Sequence, residues 1–210
     1  MKRAIAGCLV AIAVLLFTTA LGLAVIHVSD FPYVLDVDLL NICEKAELPR
    51  AEVILNYNVV MEYLSPFTSN EFALPTLGYT AQSSFHFYEC KNLFKGIYIM
   101  GLVSALILAF LYKKKAVSKL TLRVSGIVTL AIPVVIGAAL LTNFDWVFAF
   151  FHSMFFAGET WIFDPNVDEI IKIMPSEFFM HCAIFIALFW IAGAAIQLKI
   201  GYLDEEACKT

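Results

Sequence analysis

The sequence predicts an all-α membrane protein, with four transmembrane helices and a small, mostly helical extracytoplasmic cap. Three observations lead there. Across 210 residues, 61% are hydrophobic and only 15% carry a charge, and the mean hydropathy is +0.83; a soluble domain runs at about 45–50% apolar. Four stretches reach or nearly reach the roughly 20 apolar residues that cross a bilayer. The lysines and arginines gather before the first stretch (Lys2, Arg3) and between the second and third (Lys113, Lys114, Lys115, Lys119, Arg123), as the cytoplasmic bias of positive charge requires. Most of the chain is spent crossing lipid, which leaves little for a soluble catalytic domain. No basic face is available for nucleic acid.

The first span occupies residues 1–28 and is apolar from Ala4 to about Val28. It exceeds the about 7–15 residues of a signal-peptide core and lacks an early A-x-A break, so it reads as an uncleaved span, with a cleaved signal as the alternative. Ile5-Ala6-Gly7-Cys8 has the look of a lipobox, but its apolar core follows the cysteine instead of preceding it. Residues 29–93 form the cap. This segment is rich in acid and poor in base, with Asp30, Asp36, Asp38, Glu44, Glu47, Glu52, Glu62, Glu71 and Glu89. Within it Val53, Tyr57, Val60, Met61 and Leu64 recur at helical spacing, and Ser65-Pro66 ends that helix. A turn-rich connector "FALPTLGYT" follows, and a helix resumes in "SSFHFYECKNLFKG", capped by Ser83 or Ser84.

Residues 94–142 hold the second span (about Phe94 to Tyr112) and the third (about Leu122 to Leu141, with Pro133 as a kink), joined by a basic cytoplasmic link at 113–121. Residues 143–177 return to the outer side as an aromatic segment, and 178–210 hold the fourth span and a cytoplasmic tail. Both termini then face the cytoplasm. Cys43 and Cys90 both lie outward, where a disulfide can persist, and their pairing stays open. No CxxC spacing occurs, which weakens a zinc or thioredoxin-like reading.

The chemistry-bearing residues are histidines. His86 and His152 stand in the two outer segments, both near span ends, so the topology brings them to one level. Histidine moves protons near neutral pH, and two in one pocket can act in turn as base and acid. Glu89, three residues past His86, reaches that ring on a helix; Asp145, two turns before His152, can orient the other. His27 and His181 read as interfacial residues at span ends. Nine of the twenty residues 144–163 are aromatic. An interfacial belt accounts for Trp146 and Trp161. It accounts less well for the phenylalanines around His152, among them Phe151, Phe155 and Phe156, which would suit the lining of a lipid-substrate pocket. A metal site of His86, His152 and acids lacks an HExxH or a tight cluster.

Three blocks, "NYNVVMEYLSPF", "HFYECKNLF" and "FHSMFFAGETWIFDPNVDEIIKIMPSEFF", resemble the bacterial lipoprotein intramolecular transacylase family, and span count, cap position and motif order fit over most of the chain. The third block is the most specific, with FHxxFF, W-x-FDP and P-x-x-FF. Glu89 stands where the family usually has aspartate, and Phe87 where it has leucine. The resemblance implies an enzyme of the bacterial cell membrane, active at the extracytoplasmic interface. Its partners are membrane-anchored diacylglyceryl lipoproteins, and it moves their sn-2 acyl chain to the free amine of the N-terminal cysteine. It implies His86 and His152 as the catalytic pair and no metal or organic cofactor. Asn56, Tyr57 or Trp161 could polarise the ester carbonyl, and Asp164 stands as a supporting acid. Beside Glu89, His86 is weakly favoured as the base. The alternatives are a non-catalytic lipid- or lipoprotein-binding membrane protein and a metal-dependent membrane hydrolase.

Overall fold

The computed structural model describes residues 2–202; the predicted tail, with Cys208, lies outside the described residues. Every regular element among the described residues is a helix: α1 (Lys2–Val28), α2 (Phe31–Leu39), α3 (Ile42–Ala46), α4 (Arg50–Leu64), α5 (Ala81–Lys113), α6 (Lys119–Thr142), α7 (Phe144–Phe155), α8 (Ile170–Ile173) and α9 (Ser176–Tyr202). Of these, α1, α5, α6 and α9 are long and apolar enough to cross a membrane. The described residues divide into two compact units, one of residues 2–23, 97–142 and 184–202, the other of residues 24–96 and 143–183.

The first unit holds most of the length of the four long helices. Lipid tails are as apolar as leucine, so these helices associate through close packing and interhelical hydrogen bonds. A Cβ on Gly126 would lie 2.7 Å from Leu198 Cγ, so the glycine lets the two backbones approach. Polar contacts join the same elements. Gln197 is buried; its carbonyl accepts from Ser125 Oγ, and its amide donates to Thr129 Oγ1 at 3.3 Å. Trp190 Nε1 donates to Thr19 Oγ1 at 2.8 Å. Inside hydrocarbon every such group needs a partner in the protein.

The second unit has the aromatic and aliphatic core. Val53, Tyr57, Val60 and Leu64 project from one face of α4 and are all buried, together with Tyr33, Ile170, Ile173 and Phe178. Tyr33 and Tyr57 stack at 3.6 Å between centroids, and Phe178 meets both edge-on. The Tyr33 hydroxyl donates to the Ile173 carbonyl at 2.7 Å, which ties α2 to α8. Cys8, Cys43, Cys90 and Cys182 are free thiols.

The start of α5 is fastened with particular care. The helix begins at Ala81, so its cap is Thr80, ahead of the serines considered above. Thr80 Oγ1 accepts from Ser83 N at 3.2 Å, and Ser83 Oγ accepts from Thr80 N at 3.0 Å, a reciprocal capping box. Asp168, only 3% exposed, accepts from Thr80 N at 2.8 Å and from Thr80 Oγ1 at 2.9 Å. One step earlier, Gly78 N donates to Glu169 Oε2 at 2.9 Å, and Glu169 N donates back to Gly78 O at 3.1 Å. That amide and Lys172 hold the Glu169 carboxyl below the usual carboxylate range. The clip joins α5 to the segment that follows α7.

Removing the central acceptor tests the clip. Asp168→Ala leaves buried donors short of a partner, which costs about 1–3 kcal/mol. A lowered thermal midpoint of the detergent-solubilised protein is expected, with a smaller drop for Asp168→Asn, which keeps the accepting oxygen. Equal midpoints for wild type and the alanine variant would contradict the role given to Asp168.

Candidate active site

α7 starts where Asn143 Oδ1 accepts from Trp146 N at 3.0 Å. Its twelve residues place Phe148 and His152 one turn apart. The His152 ring folds back over that turn, and its Nδ1 lies 2.7 Å from the Phe148 carbonyl. A carbonyl only accepts, so Nδ1 carries the hydrogen and Nε2 of the neutral ring is bare. On α5, His86, Glu89 and Cys90 share one face at i, i+3 and i+4. Between α7 and α8 the chain is drawn onto α5 by Gln82, whose amide donates to the carbonyls of Glu159 (3.2 Å) and Ile162 (3.0 Å).

These elements bring the two rings together. The His86 and His152 centroids are 5.9 Å apart, tilted by 33°. Aromatic rings close round them. Phe156, buried, lies 4.6 Å from His86 and 5.5 Å from His152. Phe148 and Trp161 pack on His152 at 4.2 and 4.6 Å, and Phe163 meets His86 edge-on at 5.6 Å. His86 is 7% exposed. Its Nε2 lies 3.4 Å from Cys90 Sγ, while its Nδ1 is buried without a hydrogen-bond partner. Glu89 Oε2 stands 3.9 Å from that Nδ1, beyond hydrogen-bond reach, and accepts from Thr160 Oγ1 at 2.8 Å.

The other residues singled out from sequence divide into groups. Phe151 meets His152 edge-on at 5.5 Å and Phe155 lies tilted against Phe151 at 4.9 Å, both with substantial exposure, so they form an outer rim. Asn56 is fully buried; its amide donates to Glu52 O (2.9 Å) and Thr76 Oγ1 (2.7 Å), and its Oδ1 lacks a hydrogen-bond partner. Tyr57 belongs to the Tyr33–Phe178 cluster. Asp145 is exposed, and the contact that orients the His152 ring is the one from its Nδ1 to the Phe148 carbonyl. Asp164 accepts from Asn166 N at 2.9 Å and its side-chain amide at 2.8 Å, shaping the turn after Trp161. Among the described residues, no three His, Cys, Asp or Glu side chains gather closely enough to hold a metal ion.

Sequence reasoning missed Phe148, Phe163, Thr160 and Asp36. Helical spacing from His152 would have found Phe148. Thr160 sits in irregular chain and leaves no periodic trace. Asp36, buried, bonds His181 Nδ1 at 2.7 Å, so His181 anchors α2 to α9 instead of merely marking an interface.

The family model of the lipoprotein intramolecular transacylase Lit matches residues 8–179. The chain belongs to this family. Lit from Bacillus cereus, solved in meso as a membrane-integral protein, is similar to this transacylase over 100% of this chain and 99% of that one, at 29% identity and a TM-score of 0.87. Forms of the Bacillus protein with a histidine changed to arginine (27% identity, TM-score 0.81, 100% and 95% covered) or to alanine (30%, 0.79, 100% and 96%) are similar as well. No curated protein sequence matches the chain. The transacylase is thus a multi-pass membrane acyltransferase whose substrates are lipoproteins.

Burial holds the His152 pKa below its ordinary 6.5, against the opposing pull of the Phe148 carbonyl. Burial penalises the imidazolium, so the neutral ring persists into more acidic solution than an exposed histidine tolerates. Labelled-histidine NMR of the protein in nanodiscs should give a His152 midpoint below 6.5; a midpoint above it would contradict burial as the controlling effect.

Proposed function

We propose that the chain moves the sn-2 acyl group of a diacylglyceryl lipoprotein to the free amine of its N-terminal cysteine, leaving a lyso-form lipoprotein, with His86 and His152 as acid–base pair. The observation that carries this reading is the 5.9 Å spacing of the two rings among packed aromatic side chains. A reacting nitrogen and oxygen between them would lie within reach of both imidazoles.

The roles follow from the ring nitrogens. His152, with Nδ1 tied to Phe148 O, offers a bare Nε2 to the attacking amine. His86 is the more deeply buried ring; burial, with His152 beside it, lowers its pKa to about 4, so it holds a proton only briefly and returns it to the departing glyceryl oxygen, with the Glu89 carboxylate 3.9 Å from its Nδ1 as the neighbouring anion. This reverses the weak preference for His86 as base. Each transfer is worth roughly 10²–10⁴ in rate. Amine and ester belong to one substrate, so the remaining task is to fold it until they meet, and stiff aromatic walls suit that task. Phe156, Phe148 and Trp161 also keep water from the acyl group. Trp161, packed on His152, stays the candidate for carbonyl polarisation among the three considered. The basic link at 113–121 argues for an extracytoplasmic site with both termini in the cytoplasm, and residues 29–93 and 143–177 form the outer cap.

Two measurements test this. In cells carrying a reporter lipoprotein, mass spectrometry should find the lyso-form with the wild-type chain and a loss of roughly 10²-fold or more with His86→Ala or His152→Ala at equal membrane abundance; lyso-form made normally by both variants would end the reading. Phe156→Ala opens the shell, so free fatty acid should rise at the expense of N-acylated product. An unchanged product ratio would remove Phe156 from the water barrier.

A further inference from the structure

Transfer of an acyl group from an ester to an ammonium group releases a proton. The attacking nitrogen loses two hydrogens as the N–C bond forms. The ester C–O bond breaks, and the glyceryl oxygen keeps one of the two. His152 receives each hydrogen from the nitrogen and passes it to His86 across the 5.9 Å between the rings; His86 hands one to the glyceryl oxygen, and the other must reach solvent before the next turnover. His86 and the Phe156 ring against it are both buried, so a proton on His86 has no direct way to solvent. Of the ring nitrogens, His152 Nδ1 is closed by the Phe148 carbonyl. His86 Nδ1 is buried, lacks a hydrogen-bond partner, and lies 3.9 Å from Glu89 Oε2. That same carboxylate oxygen is bonded to Thr160 Oγ1 at 2.8 Å. Thr160 in turn lines an open cavity of about 350 Å³ with Gln82, Glu159 and Ile162.

We propose that Glu89 and Thr160 form the proton exit of the transacylase, leading from His86 Nδ1 to the Gln82–Glu159–Thr160–Ile162 cavity. The assignment rests on the reading of His86 and His152 as the acid–base pair. A protonated His86 attracts Glu89, and a movement of roughly 1 Å brings the pair to a charge-assisted hydrogen bond. Glu89 takes the proton; the Thr160 hydroxyl, which donates to Glu89 Oε2 in the resting site, turns to accept it and releases its own hydrogen toward the cavity, which leaves the carboxylate free again. The groups that face His86 are Glu89 and Cys90 from α5 and His152 from α7, and Thr160 and Phe163 come from the chain after α7. Among them only Glu89 pairs an anionic oxygen with a route outward. Glu159 gives the cavity a second acid to receive the proton. Thr160 is a positioning and relay residue and does not touch the acyl group.

The test uses pH, because the surplus proton exists only when the substrate amine arrives charged. An N-terminal amine titrates near about 8. Initial rates of lyso-lipoprotein formation would be measured with the purified full chain in lipid nanodiscs and a diacylglyceryl lipopeptide, from pH 6.5 to 9.5. Thr160→Val is expected to slow turnover several-fold at pH 6.5 and to approach the wild-type rate at 9.5; Glu89→Gln should be slower at both, with the larger loss at pH 6.5. Thr160→Ser, which keeps the hydroxyl, should recover most of the loss seen with valine. Added imidazole buffer should restore part of the low-pH rate. Equal rates for Thr160→Val and wild type at pH 6.5 would overturn the exit, and so would a loss of the same size at every pH, which marks a packing role. His86→Ala and His152→Ala, run alongside, separate the two ideas: they should be inactive throughout, and activity in both would strike the catalytic pair whatever the Thr160 series gives.

Discussion

The structure depends on holding two imidazoles beside each other where water is scarce. Sixty-six positions separate His86 from His152, yet their ring centroids lie 5.9 Å apart under Phe156. Both rings must stay largely neutral there, because burial penalises the cation and two cations would repel. The surroundings answer each demand with a specific contact. The Phe148 carbonyl selects the His152 tautomer, and Glu89 stands close enough to His86 to support a transient positive charge without fixing the ring. A buried nitrogen left without a hydrogen bond is costly, and its persistence at His86 Nδ1 is intelligible when that nitrogen has to take and release a proton.

Placing the rings is the task of the junction between the start of α5 and the chain from Phe156 to Glu169. Thr80 with Asp168, Gly78 with Glu169, Gln82 with the carbonyls of Glu159 and Ile162, and Thr160 with Glu89 are four separate crossings of one seam. Each typical hydrogen bond contributes only about 0.5–1.5 kcal/mol net, and those to charged groups about 1.5–3. Their value here is geometric. Irregular chain has no ladder of its own, so side-chain bonds to a long helix give Trp161 and Phe163 fixed positions against the imidazoles. The unit built from the long helices uses a different set of contacts, close glycine packing and buried amide and hydroxyl pairs, as an apolar solvent demands.

The resemblance found in the sequence and the family match agree because the same side chains do two things at once. FHxxFF places an apolar face and a titratable ring on one helix, and W-x-FDP adds a second aromatic wall and the turn that returns the chain. An acyl chain needs the wall, and a proton transfer needs the ring. A soluble hydrolase could recruit water for either step; an acyl transferase must keep water away from the ester while still exporting a proton, and that double requirement makes the polar edge at Glu89 and Thr160 as informative as the aromatic interior.

The sequence by itself determined the elements that depend on local pattern. Apolar runs as long as a bilayer is thick define the four long helices, the spacing of Val53, Tyr57, Val60 and Leu64 gives α4 its buried face, and histidine chemistry singled out His86 and His152. The tertiary structure alone decided which polar groups face one another. Asn56 turns to Thr76, Tyr57 stacks on Tyr33, Asp145 stays exposed, and Asp36 takes His181, and none of these pairings leaves a periodic mark. The reason is physical: hydrophobic burial follows helical repeat and is additive along the chain, whereas a hydrogen bond needs two atoms from distant segments within about 3 Å at a suitable angle, and folding alone brings Thr160 to Glu89.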